Sequence, residues 1–220
     1  MNIYEQAIRS LTEEGHLNQT DNILVSCGGD TDARYLKICG MKRALIANVD
    51  DRRSDGIGTY DWAHCDAEAL DFPDNSFDWG FIHAGLHHCR SPHLALLELI
   101  RVSRKGVLII EARDSFLMRT AVRLGLTPEY EIIDCALDKE GKGGLRNSGV
   151  PNFIYRWTER EVRKTVESAY PDRANDYRFF YGLTLPEERM TTESLPVRMI
   201  YRVAATGAKL VFKALPKQGN

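Results

Sequence analysis

Four apolar runs constrain this chain more than any other feature in it. They are Asn22–Cys27 ("NILVSC"), Arg43–Val49 ("RALIANV"), Phe77–His83 ("FDWGFIH") and Gly106–Ala112 ("GVLIIEA"). Each is short, rich in Ile, Leu, Val or aromatic residues, and near-continuous, as expected of strands buried on both faces. A weaker run, "YDWAHCD", ends at Asp66 and reads as another strand. Between the runs, residues 31–39 have helical spacing, and so do residues 92–103, with Leu94, Leu97 and Ile100 on one face. Strands alternating with helices predict an α/β fold: a mostly parallel central sheet with helices on both faces.

Open sheets of this kind bind ligands beyond the carboxyl ends of their strands. The residues that follow each run are therefore the candidates for a site. They are Gly28–Gly29–Asp30, Asp50–Asp51, Asp66–Ala67–Glu68, the segment His83–His88, and Glu111–Ser115. Glycines at 28 and 29 let a ligand approach the backbone in front of a helix N-terminus. Asp50 follows Gly28 by 22 positions, a spacing at which a carboxylate commonly receives ribose hydroxyls. The sequence Gly28-Gly29-Asp30-Thr31-Asp32-Ala33 does not fit G-x-G-x-x-G, and Asp30 would repel a pyrophosphate. An acid-lined cleft suits an adenosine-containing ligand with a cationic centre and no phosphate.

Composition narrows the class. The 220 residues carry a net charge of −2, which argues against a dedicated nucleic-acid binder. Five cysteines without CxxC spacing suggest neither a disulfide framework nor a zinc ribbon. The N-terminus has no apolar leader and no run is long enough to span a membrane, so a cytoplasmic protein is expected.

The block "DAEALDFPDNSFDWGFIHAGLHH", Asp66–His88, resembles the central segment of class I S-adenosylmethionine-dependent methyltransferases, closest to the ubiquinone-pathway group. "ALLELIRVSRKGVLIIEARDS" is similar to that family's following helix and fifth strand, and "YRWTEREVRKTV" to its acceptor-side segment. The resemblance spans roughly residues 20–183 and implies a Rossmann-like methyltransferase fold with S-adenosylmethionine as cofactor and S-adenosylhomocysteine as product. It implies that Asp66 contacts the adenine amino group, that Ala67 and Glu68 line the ring, and that His83 lies where the backbone passes the cofactor. With Ser26, Gly28, Gly29, Asp50 and Asp51, these form the expected cofactor-binding set. The family's glycine motif is usually G-x-G-x-G. If Gly28 is its middle glycine, Ser26 and Asp30 take the outer positions, a variant loop.

Methyl transfer to a hydroxyl needs a base, and His87, His88 and Asp114 are the candidates. Asp114 could instead cap the helix expected at 115–125. A metal reading pairs His83 and His87 with His88 or Asp114, but the segment is a strand end and a glycine-containing loop, so no metal is assigned. Arg113, Arg146, Asn147, Asn152, Arg156 and Trp157 form a candidate acceptor-facing group, suited to a small polar molecule or a glycan; O-methylation is the expected reaction. The alternative is a non-catalytic, methyltransferase-like partner subunit, motivated by Ser26 and Asp30. A nicotinamide-dependent oxidoreductase is weakened by the failed glycine pattern.

The whole chain, 1–220, is expected to form one methyltransferase domain. It comprises an N-terminal helix at 2–14, a core at about 20–115, an acceptor-side insertion at about 126–170 and a basic helix at about 196–215. Asp138–Asn152 reads as a polar, glycine-rich lid, Thr158 as an N-cap, and Tyr177–Leu183 as a sixth strand. "KLVFKAL" is a candidate closing strand, although it continues a helical pattern. The basic helix could pack on its own domain, form a homodimer contact, or lie on an anionic membrane surface.

Overall fold

All five strand-like runs form strands of one sheet in the computed structural model, which describes residues 2–132, 142–183 and 195–218. The strands are β1 (Asn22–Ser26), β2 (Arg43–Asn48), β3 (Asp61–His64), β4 (Phe77–His83) and β5 (Ser103–Ile110). Their order is β3-β2-β1-β4-β5, and every neighbouring pair is parallel. The chain winds outward from β1 in one direction and from β4 in the other. The strand order therefore reverses between β1 and β4, which opens a crevice at their carboxyl ends. The helices are α1 (Ile3–Glu13), α2 (Asp30–Ile38), α3 (Pro92–Val102), α4 (Phe116–Arg123), α5 (Glu159–Ala169) and α6 (Leu195–Ala214).

Side chains alternate across a strand, so each strand feeds two cores. On one face Tyr4, Ile8 and Leu11 of α1 and Leu36 of α2 pack on Ile23, Val25, Ile46, Trp79 and Phe81. On the other, Leu96, Leu99 and Ile100 of α3 cover Leu24, Ala47 and Ile82, with Trp157 and Val166 beside them. Helix α3 lies close on β4 because position 80 is glycine: a Cβ there would stand 2.4 Å from Ser103 Oγ and 2.7 Å from Leu99 Cδ1. Ser91 caps α3 through Leu94 N–H, with Pro92 in the first turn, and Thr158 caps α5 through Glu161 N–H as its sequence predicts.

Asp78 ties together the amino ends of three strands. Its carboxylate accepts the Asn22 N–H at the start of β1 and pairs with Arg104 and Lys105 on β5. Burial pushes its pKa up, but the Asn22 N–H and the two cations outweigh this and hold it at about 2, below the usual 3.8. A depressed folded-state pKa gives stability that is present above pH 4 and fades as pH falls towards 2. Wild type and Asp78→Asn should therefore differ in denaturant midpoint at neutral pH and converge between pH 4 and pH 2. A gap that is constant with pH would remove Asp78 from the acid response.

Several expectations need correction. Tyr177–Leu183 pairs with no strand; the residues run beside β5 across a cavity of about 850 Å³. They are anchored instead to α1, where Arg178 pairs with Glu14 and Gly182 packs on Ile3. "KLVFKAL" is helical through Ala214, as the tail of α6. On α3, Ile100, Leu96 and Val102 are buried as expected and Ala95 and Leu99 join them, whereas Leu94 is exposed and Leu97 half-buried. Ser115, not Asp114, caps α4, leaving the Asp114 carboxylate to pair with Arg119. The first four residues of the expected lid, 138–141, lie outside the described residues. Helix α6 buries Tyr201 and Ala205 but leaves Met199, Ile200 and Val203 exposed beside its basic residues. No helix among the described residues is long and apolar enough to cross a membrane.

A candidate cofactor cleft at the carboxyl edge of the sheet

The crevice between β1 and β4 is built from two tight turns. Cys27 and Ala84, which follow β1 and β4, have φ of 53° and 51°, a left-handed conformation that non-glycine residues seldom adopt outside special sites. The turns touch: a Cβ at Gly85 would lie 2.5 Å from Cys27 Cβ. Gly28 is equally confined, since a Cβ there would meet Val25 Cγ1 at 2.7 Å and Ile46 Cγ2 at 2.8 Å. Asn48 at the end of β2 ties the glycine turn in place by donating to Gly28 C=O and accepting from Asp50 N–H.

A cleft of about 200 Å³ opens beside these turns. Of the expected cofactor residues, Asp66, Ala67 and Glu68 line it, together with Asn48, Val49 and His88. Asp66 Oδ1 accepts the Glu68 N–H. Glu68 is already engaged, with its two oxygens receiving the backbone N–H groups of Arg90 and Ser91 before α3. Asp50 stands at the rim, in a bidentate pair with Arg52. That pair, more than any other contact, pulls its pKa well below the ordinary carboxylate value. Asp51 is largely exposed, and Ser26 is buried in β1.

The segment Lys142–Asn147 closes the cleft. Gly143, Gly144, Arg146 and Asn147 form one wall of it. Arg146 pairs with Asp66, Lys142 lies 3.8 Å from Asp51, and Asn147 helps to hold the Asp50 carboxyl ionised. Three acids expected to serve the cofactor are thus engaged by one loop of the chain itself. Arg146 and Asn147 hold that position with φ of 51° and 56°. Ligand sites for drug-sized molecules commonly measure about 300–1,000 Å³, so an adenosyl ligand would need this loop to move outward.

His83 ends β4, as expected. Alternation along β4 sends it to the same face as Phe81, where its ring stacks on Tyr4 at 4.8 Å and its Nδ1 lies 3.7 Å from Asp32 Oδ1. Asp32 also accepts the Gly29 N–H at the start of α2. Burial raises the Asp32 pKa, opposed by the Gly29 N–H, His83 and the Tyr4 hydroxyl beside it. The buried Asp32 Oδ1 has no well-formed hydrogen bond, and a ligand with a donor group would suit it. Tyr4 and Asp32 carried no sequence signal of a site, because each reads as an ordinary helix residue.

His87 and His88 sit in a short turn after β4, against two glutamates. Glu111, directly after β5, accepts Leu86 N–H at 2.6 Å and holds His87 Nδ1 at 2.8 Å. Glu131 lies 3.3 Å from His87 Nε2 and 3.3 Å from His88 Nε2. Its position is set by an antiparallel bridge between Tyr130 and Phe153, which brings in Asn152 as a donor to the same carboxylate. Burial opposes the charge of His87, but bonds to Glu111 and Glu131 push its pKa up to about 10. His87 is therefore a bridging cation at neutral pH. Burial and the charge of His87 lower the pKa of His88, the neutral imidazole on the cleft wall. Glu111 was legible as a strand-end residue; Glu131 was not, because only the long-range bridge places it.

The expected acceptor-facing group does not converge. Arg146 and Asn147 lie over the cleft, and Asn152 is buried beside Glu131. Arg113 pairs with Glu159 and stacks on Tyr181, Arg156 donates to the Pro128 and Ile154 carbonyls, and Trp157 is a core residue.

Residues 25–110 match the family model described as "Methyltransferase domain". The ubiquinone/menaquinone biosynthesis C-methyltransferase UbiE of Salmonella arizonae is 28% identical over 44% of this chain and 49% of its own length. The protein of that name from Enterobacter sp. is 30% identical over 38% of each chain. The matched stretch thus spans less than half of these curated relatives. In fold, the chain is similar to the YcgJ protein of Bacillus subtilis, with a TM-score of 0.55 and 11% identity over 90% of this chain and 82% of that one. It is also similar to magnesium protoporphyrin IX methyltransferase of Synechocystis, solved with bound S-adenosylhomocysteine, with a TM-score of 0.50 and 13% identity over 76% of this chain and 72% of that one. Residues 25–110 are thus similar in sequence to a methyltransferase domain, and the parallel sheet and crevice they form share the fold of these solved structures.

Proposed function

We propose that this chain transfers a methyl group from S-adenosylmethionine to a small acceptor that bears a hydroxyl. The observation that carries the reading is the acid-lined cleft at the β1–β4 crevice, within the stretch that matches the methyltransferase family. Asp66 and Ala67 would receive the adenine, Asp50 the ribose, and the Asp32–Tyr4 pair the amino-acid end. The bound cofactor supplies an electrophilic methyl carbon. The protein's tasks are to align the acceptor with that carbon, exclude water and take up the hydroxyl proton. His88 suits the last task, being neutral and on the cleft wall, whereas His87 already holds its proton. The nucleophile can then be the acceptor oxygen or, where the hydroxyl is phenolic or enolic, the carbon next to the hydroxyl-bearing one, which afterwards loses its own proton to solvent. The curated relatives are named C-methyltransferases, which favours carbon.

Calorimetry with S-adenosylhomocysteine tests this, with NADH as control. Wild type should bind the former at micromolar concentration and not the latter. Arg146→Ala removes the loop's pair with Asp66 and should tighten binding about threefold, the scale of a surface ion pair. Weaker binding in that variant would make Arg146 a cofactor ligand instead of a competitor. No binding in either folded protein would retire the enzymatic reading in favour of a non-catalytic subunit.

A further inference from the structure

We propose that His87 Nε2, His88 Nε2 and the Glu131 carboxylate form a binding site for a divalent first-row transition metal of the zinc class. The three donors lie within 4.8 Å of one another, and Glu131 reaches each imidazole at 3.3 Å. Two ligands bound tetrahedrally at zinc distances stand about 3.4 Å apart, so the donors need little rearrangement to enclose an ion.

Two histidines and one carboxylate are a common donor set for such metals, and three protein ligands leave coordination positions open. The surroundings are those of a metal site. Ligating histidines usually donate their other ring nitrogen to a carboxylate, which fixes the tautomer and aims the free nitrogen. Here Glu111, itself 3% exposed, holds His87 Nδ1 and is fixed by the Leu86 N–H, so that His87 Nε2 faces Glu131; the bound metal would take the place of the Nε2 proton, which is released to solvent. Glu131 is oriented in turn by Asn152, which is 1% exposed and donates to Oε2 at 3.1 Å. The other amide atom, Asn152 Oδ1, is buried with no hydrogen-bond partner, and a metal-bound water is a donor that would satisfy it. The open side of the group is His88, which is about one-third exposed and faces the cofactor cleft.

The role of the metal rests on the methyltransferase reading; its binding does not. An acceptor hydroxyl coordinated at the open position loses its proton to solvent more readily, because the cation stabilises the resulting oxygen anion. An electron pair on the oxygen, or for a phenolate or enolate on the carbon next to the oxygen-bearing one, would then form the new bond to the methyl carbon; in the carbon case that carbon's own proton leaves to solvent afterwards. The breaking carbon–sulfur bond leaves its pair on sulfur. In this state His88 is a ligand and the metal replaces it in activating the hydroxyl.

The test uses the full chain, stripped with a chelator and titrated with Co²⁺, read by its visible absorption, and with Zn²⁺, read by calorimetry. One equivalent should bind. His88→Ala and Glu131→Gln should each weaken binding at least tenfold, and Glu111→Gln, a positioning variant, about 10- to 100-fold. Binding of S-adenosylhomocysteine is measured on the same samples. Absence of a stoichiometric site, or one indifferent to His88→Ala and Glu131→Gln, overturns the proposal whether or not the cofactor binds. One equivalent of metal without cofactor binding upholds the site and removes only the methyltransferase role.

Discussion

Asp50→Ala is expected to bind S-adenosylhomocysteine about 10- to 100-fold more weakly than wild type. A carboxylate that receives two ribose hydroxyls makes two charge-assisted hydrogen bonds, each worth about 1.5–3 kcal/mol. Every 1.4 kcal/mol is about tenfold in affinity, so even one such bond accounts for the lower bound. The offset is local: the variant also releases Arg52 and Asn147, which share the same carboxylate in the closed cleft. Asn48 still anchors the turn through the Asp50 backbone N–H and Gly28 C=O, so the fold should survive and thermal unfolding should stay near wild type. Calorimetry decides. Unchanged affinity in the variant would move the ribose away from the end of β2.

Phe81→Ala should cost about 3–5 kcal/mol of stability, the range for removing a buried aromatic ring. Phe81 is 0% exposed in the middle of β4, between Val25 of β1 and Leu108 of β5. Its ring meets Tyr4 and Trp79 edge-on, each at 6.3 Å, so truncation would open a void between α1 and the sheet. At about 2–4 °C per kcal/mol for a chain of this size, the midpoint should fall by roughly 6–20 °C. Chemical denaturation checks the free energy. A loss below about 1 kcal/mol would mean that α1 collapses into the space.

The centre of the sheet was legible because β1, β2 and β4 are buried on both faces, which leaves continuous apolar runs that no other element explains as well. The acids at the strand ends were legible for the same reason: the run stops where solvent begins. What the sequence concealed were distances along the chain. Glu131 joins His87 through a bridge between Tyr130 and Phe153, a pairing with no local signal. The partners of His83 were also hidden; counting from Phe81 puts its ring on the α1 face, against Tyr4. Tyr177–Leu183 has strand-like composition, but its anchors are Glu14 and Ile3 on α1, and contacts to a helix override a local preference for strand.

The loop over the cleft has one more consequence, as a threshold on what can enter. Its two ion pairs, Arg146–Asp66 and Lys142–Asp51, are partly solvated, and such pairs contribute about 0.2–1 kcal/mol each. Against them stands the left-handed backbone of Arg146 and Asn147, with a cost of about 1–2 kcal/mol per residue at the upper end. Latch and strain are of the same order, about 0.4–2 kcal/mol in all against up to about 2–4, so the loop is held shut only weakly. A ligand that engages the proposed adenine, ribose and amino-acid subsites together would displace such a latch easily. A free base or a bare nucleoside, which satisfies only part of the set, meets competition from the protein's own arginine at every encounter.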